Sequence, residues 1–141
     1  MPLSEAFYSR SVADPQIAAI ASQRLYPGAA PVSAVRPYAI YLLMARDGHY
    51  TMDGHTGLTN TTMRVLCVDN NHATAEALAQ ALRDLWDGYR GTYGDTVFDG
   101  VLCSSKTERY EPPMDASDVG RFVADIGFTV WHREPVPSLV L

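Results

Sequence analysis

Between Asp47 and Gly57 the chain reads DGHYTMDGHTG, and His49, Asp53 and His55 are spaced as metal ligands can be. Two imidazoles and a carboxylate at this spacing could hold a metal ion and so serve a small metal-dependent enzyme. If the segment is extended, a side-chain period of two places all three on one face. Against this, metal ligands need a rigid frame and oriented partners. Here they sit among Gly48, Gly54, Gly57 and threonines, and His72 and His132 are far off in sequence. The competing reading is a loop that orders against another molecule.

Other chemistry finds less support. The sequence has no GxSxG elbow, P-loop or GxGxxG run. Ser104-Ser105 has no adjacent base, and Cys103 has only Lys106 as a positive neighbour to favour a thiolate. Cys67 and Cys103 read as small buried hydrophobes in a reducing compartment. The stretch DGYRGTYGDTVFDG is glycine-rich but lacks a lysine or helix start to hold phosphate, so it reads as a loop. Asp84 and Asp87 lie three apart on a helix, as an acid/base pair would. The apolar stripe takes Leu82, Leu85 and Trp86, which leaves the two carboxylates on the solvated side with parts of Glu76 and Arg83. No catalytic residue and no cofactor are expected.

The elements that must position these residues follow from periodicity. Leu3 to Pro27 reads as two short helices, with Asp14-Pro15 a cap and first-turn proline restarting the second through Ile17, Ala18 and Ile20. Pro27-Gly28 and Pro31 stop regular structure. PYAIYLLMAR opens a strand with Tyr38, Ile40, Leu42 and Met44 on one face and Tyr41 and Leu43 on the other; both faces are apolar and call for cover. A second strand spans Thr61 to Asp69, and residues 48–60 form a long loop between the two. NNHATAEALAQALRDLWDG is the clearest helix: Ala75, Leu78, Ala79, Leu82, Leu85 and Trp86 share a stripe, Asn70 or Asn71 caps it, and Gly88 closes it. RGTYGDT is a turn, and VFDGVLCSSKTERYE a third strand with a bulge at Gly100. PPMDASDVG is a loop. RFVADIGFTVWHR is a fourth strand, with Phe122, Ala124, Ile126, Phe128 and Val130 on one face and Val123, Asp125, Thr129 and Trp131 on the other, partly exposed face. The expected fold is one α+β domain over residues 1–141: a four-stranded, mainly antiparallel sheet covered by one long helix, with short N-terminal helices and an extended tail from 134 to 141.

With 47% hydrophobic and 19% charged residues in 141, the chain should fold as one domain. Its apolar runs are too short to span a membrane, and its start lacks a signal-peptide pattern, so synthesis in the cytoplasm is expected. The net charge is −5 and lysine occurs once, at Lys106. Tight nucleic-acid binding needs clustered cations, which are missing; an acidic surface past which DNA slides fits better. The eight tyrosines recur at element ends. Tyr50, Tyr89, Tyr93 and Tyr110, with the apolar tail Leu139, Val140 and Leu141, are candidate subunit or partner contacts, since such groups bury area at interfaces.

The layout is similar to a known family. Short N-terminal helices lead to RLYPGAAP (24–31), then RPYAIY (36–41) opens a strand, MRVLCVD follows, and an alanine-rich helix ends at Leu85-Trp86-Asp87-Gly88 before a last pair of strands. Over about Leu3 to Arg133 this resembles the tail terminator, or tail-completion, proteins of long-tailed bacteriophages and gene transfer agents. The resemblance implies a non-enzymatic virion protein in the tail and neck region. It would form a homohexameric ring that stops the tail tube, meet the tube protein on one face and the head connector or head-closure protein on the other, and let DNA pass without specific binding. It also implies that residues 48–60, with Met52, His55 and Leu58, meet neighbouring subunits or the lumen. The loop EPPMDASDVG and the tail EPVPSLVL match no part of the family pattern. Two other readings are a head-closure or connector protein and, from another class, a small metal-dependent enzyme using residues 47–57.

Overall fold

The computed structural model describes residues 3–31, 34–52, 54–113 and 120–133. Its elements are α1 (Leu3–Ala13), α2 (Pro15–Ala21), β1 (Leu25–Pro27), β2 (Tyr38–Thr51), β3 (Gly54–Asp69), α3 (His72–Trp86), β4 (Gly91–Tyr93), β5 (Thr96–Glu111) and β6 (Arg121–Arg133). None of the described helices is long and apolar enough to cross a membrane.

Local chemistry explains the helix ends. The Asp14 carboxylate accepts the Ile17 N–H at 3.2 Å, and Pro15 opens α2, where a missing N–H costs nothing. Asn71 caps α3 by accepting the Ala73 N–H at 2.9 Å, while Asp69 accepts the Asn71 N–H at 3.1 Å. Gly88, at φ +80°, turns the chain out of α3 in a conformation side chains disfavour. Its N–H donates to the Val101 carbonyl at 2.7 Å, which ties the helix exit to β5.

The sheet corrects the expected fold class. Among the described residues it has six strands in the order β1-β2-β3-β6-β5-β4, curled into a half-barrel, and three helices; it is mixed, because β1 runs parallel to β2. The four long strands lie where the apolar patterns placed them. The two missed strands have three residues each, too few to show a period of two, and carry the turn residues Pro27 and Gly91. RGTYGDT is therefore not all turn, since Gly91–Tyr93 pairs with Thr96–Phe98. The expected loop at 48–60 is mostly strand. β2 and β3 continue to Tyr50↔His55 and Thr51↔Gly54, making a long hairpin. Its glycines and threonines hid the extension because their hydrophobicity does not alternate. A register shift between Phe98 and Gly100 matches the expected bulge.

All three helices pack on one face of the sheet. Phe7, Ile17, Leu78, Leu82 and Trp86 meet Tyr41, Met63, Val65, Ile126 and Phe128, all buried. Among the described residues the other face is covered only near Tyr38, Val68 and Val123, where Tyr26, Ala30 and Ala34 fold over it. Cover on both sides of β2 thus ends early, and Leu43 and Met44 are 49% and 54% exposed. Trp86 joins the layers. Its ring stacks on Phe7 at 5.2 Å and meets Phe98 at 5.4 Å, the Arg10 guanidinium lies 4.6 Å above it, and its indole N–H donates to the Ser11 hydroxyl at 2.9 Å.

Replacing Ser11 with Ala strands that buried N–H and should cost about 1–3 kcal/mol. Trp86→Ala should cost about 3–5 kcal/mol. Urea unfolding measures both; a Ser11→Ala loss below about 0.5 kcal/mol would show that the indole finds another acceptor.

Candidate functional site

The region that the helices leave bare runs from the outer end of the β2–β3 hairpin onto the helix-free face. On that face β6 contributes Asp125, Thr129 and Trp131, by alternation with the core residues Ala124, Ile126, Phe128 and Val130. On β5, Val101 is in the core and Cys103 packs against it, so Leu102 points to the helix-free face; it pairs with Thr129 and is 57% exposed.

The centre of this face is ionic. Asp125 is buried and accepts both hydrogen bonds of a forked Arg64 guanidinium, with the Arg109 Nη1 3.8 Å away. The bond to Asp125 raises the Arg64 pKa above its ordinary value. A carboxylate this buried is stable only with such partners, since losing one leaves an uncompensated charge. At the edge, Arg121 and Arg109 both donate to Glu111. Burial works to raise the Glu111 pKa, but the two arginines outweigh it and hold the group below its usual value.

The proposed metal trio is only partly placed. His49 lies on β2 with its ring stacked on Trp131 at 5.2 Å and 28°. His55 lies on β3 with its backbone opposite Tyr50. Asp53 and the side chains of Tyr50 and His55 fall outside the described residues, as do Leu139, Val140 and Leu141. Met52 is fully exposed beside the hairpin turn, and Leu58 is half-buried opposite Arg133. Tyr110 is 52% exposed and packs on Phe122 at 4.9 Å. Tyr89 and Tyr93 are half-buried against the core, and the Tyr89 ring takes the Arg10 guanidinium at 3.7 Å.

Near the hairpin the helix-side face turns polar. Thr59, Thr61 and His132 are buried there, with the Thr61 hydroxyl 2.7 Å from His132 Nε2. Thr59 Oγ1 is also buried, with no hydrogen-bond partner among the described residues.

The cysteines divide. Cys67 is fully buried, and burial pushes its thiol pKa up, which disfavours the reactive thiolate. Cys103 is half-buried rather than a core residue, and its N–H donates to Asp87 at 3.0 Å. Asp84 and Asp87 are exposed, Asp84 accepting from Gln80 at 2.9 Å.

Two features were missed in the sequence. Leu102, Leu43 and Met44 read as ordinary strand hydrophobes, because exposure depends on which strand stretch the helices reach. The cluster of His72, Glu76 and Glu108 brings ligand-type atoms within 4.8 Å of one another. Its only sequence signal is the four-residue spacing of His72 and Glu76; Glu108 joins through the fold.

No protein-family model matches the chain, and no curated protein matches its sequence. Among solved structures it is similar to a chain of a particle described as the virion of a native gene transfer agent. The two are 20% identical and superpose at a TM-score of 0.66 over 94% of this chain and 95% of the other. A second solved chain, 15% identical over 96% of this chain and 90% of its own, reaches a TM-score of 0.44, too low to carry an argument. The first likeness, over nearly the whole of both chains, establishes a shared fold.

Thr59→Val should leave stability unchanged or raise it, because the hydroxyl it removes is buried with no hydrogen-bond partner among the described residues. Thr61→Val should cost about 1–3 kcal/mol by taking the hydroxyl from His132. Urea midpoints compare the two. For Glu111 the folded pKa lies below its ordinary 4.5, so its contribution is present above that value and lost as pH falls through the folded pKa. The stability gap between the parent and Glu111→Gln should hold from neutral pH to about pH 5 and close on further acidification. A gap independent of pH would contradict the pairing.

Proposed function

We propose that this protein is a structural component of a virion or gene-transfer particle that works as a tail terminator. In this reading six copies close into a ring that ends the tail tube and joins it to the head connector. The observation that carries the reading is the full-length fold likeness to a chain of a gene transfer agent virion. The surface chemistry supports it. Ring closure needs two different patches that meet head to tail. The helix-free face with Leu102 and the hairpin end with Met52 are two such patches, and both expose apolar side chains to water. Met52, His55, Leu58, Tyr50 and Tyr110 would serve as subunit or partner contacts, as would the 139–141 tail. A net charge of −5 and a single lysine suit a lumen through which DNA moves without being held.

Deleting the gene should give tails of uncontrolled length that fail to join heads in electron micrographs. Normal particles would refute the assignment. Light scattering of the purified chain should give six times the monomer mass. Leu102→Asp should lower that mass while changing monomer stability by no more than about 0.5 kcal/mol, as for an exposed site. An unchanged ring mass would remove Leu102 from the interface.

A further inference from the structure

We propose that His72, Glu76 and Glu108 form a binding site for one divalent transition-metal ion of the zinc class. The site lies at the start of α3, at the opposite end of the sheet from the hairpin. It does not depend on the ring reading.

Two rigid elements supply the ligands. His72 and Glu76 stand one helical turn apart, so both point from the same side of α3. Glu108 comes from β5, where it pairs with Ala124 of β6. Small residues at Ala75 and Ala124 line the gap and let helix and strand approach closely. His72 Nε2 lies 2.7 Å from Glu108 Oε2, and His72 Nδ1 lies 3.8 Å from Glu76 Oε2. Ligand atoms around a tetrahedral zinc lie about 3.3–3.6 Å apart, given bonds near 2.0–2.2 Å. The three residues are exposed, so small rotamer changes can bring their ligand atoms to that spacing.

Two further features bear on the site. Lys106 Nζ sits between the glutamates, 3.6 Å from Glu76 and 3.5 Å from Glu108. That ammonium already neutralises the two glutamates, so a dication must displace it to bind. Beside the ligands lies an open cavity of about 210 Å³, lined by His72, Glu76 and Glu108 and by the apolar side chains of Ala75, Phe122 and Val123. It leaves coordination positions open to water or a small ligand. The His72 ring meets Phe122 edge-on at 5.5 Å and 73°. The positive end of the α3 dipole works against a cation, but its effect is about 0.3–1 kcal/mol at an exposed end and two carboxylates oppose it.

One imidazole with two carboxylates favours zinc, cobalt or manganese over magnesium or calcium, which prefer oxygen alone. Bound there, the ion would clamp the first turn of α3 to β5.

Calorimetric titration of the full chain with zinc chloride tests the site. One ion per chain is expected, with a dissociation constant on the order of micromolar. His72→Ala and Glu108→Gln should each weaken binding at least about tenfold. Lys106→Met should tighten it, because the competing ammonium is gone. His55→Ala should leave it unchanged, and magnesium chloride should give no saturable heat. Circular dichroism checks that each variant keeps the parental fold. Absence of saturable zinc binding, or binding that survives His72→Ala, would overturn the site. Binding lost in His55→Ala but kept in His72→Ala would move it to the hairpin and overturn it equally.

Discussion

The long strands outrun the helices that cover them. A strand of 16 residues such as β3 extends about 50 Å, whereas the 15 residues of α3 rise only about 22 Å. One α3-length helical layer therefore cannot shield the full sheet. It sits over the stretch from Val65 to Cys67 and its neighbours on β6, and there the core is dry and apolar. Beyond it the helix-side residues become Thr59, Thr61 and His132, and β2 and β3 pair on to Thr51↔Gly54, beyond Leu58↔Arg133, the last β3–β6 pair among the described residues. The exposed Leu43, Met44 and Met52 follow from the same mismatch.

Because the cover is short, it must be held firmly. Trp86 does this with a side chain that touches α1, β5 and the segment after α3 at once, and Arg10 adds a hydrogen bond of 2.8 Å to the Leu85 carbonyl. The helix-free face solves a different problem. An apolar centre there would invite collapse against any other sheet. A buried Asp125 gripped by arginines keeps its centre ionic instead, with Leu102 exposed beside it. The edges are managed too. Three-residue strands cap part of each side, and register shifts break the ladder between Leu43 and Ala45 and between Cys103 and Ser105. Short edge strands and bulges discourage indiscriminate strand pairing.

Much of this was legible in the sequence, and the failures have a common cause. β6 was readable because its core face is apolar at every second position from Phe122 to Val130, while the other face is polar or glycine at all but Val123. α3 was readable from its stripe, its Asn71 cap and Gly88. β1 and β4 were not, because three residues carry no period and Pro27 and Gly91 signal turns. The extension of the hairpin was not, because hydrophobicity reports burial and this stretch is only partly buried. The His72 cluster fails for another reason. Its third member is 32 positions from Glu76, and only the register of β5 on β6 and the closeness of Ala75 to Ala124 bring it in.

The same length mismatch gives the molecule two unlike ends. At one, the sheet closes under α3, with His72, Glu76, Lys106 and Glu108 in a charged network around an apolar cavity. At the other is the β2–β3 hairpin, with an exposed Met52 beside its turn. A two-fold contact uses one patch twice and stops at a dimer. A subunit whose ends and faces differ can meet its neighbour head to tail, and repeated rotation then closes a ring. Every copy in such a ring points the same way along the axis. The ring's upper and lower surfaces then differ as the two ends of the chain do, so each can be shaped for a different partner. Any folded chain is asymmetric, so polarity along a ring axis needs no special device; the reach of β2 and β3 beyond α3 adds a hairpin to one end and not to the other.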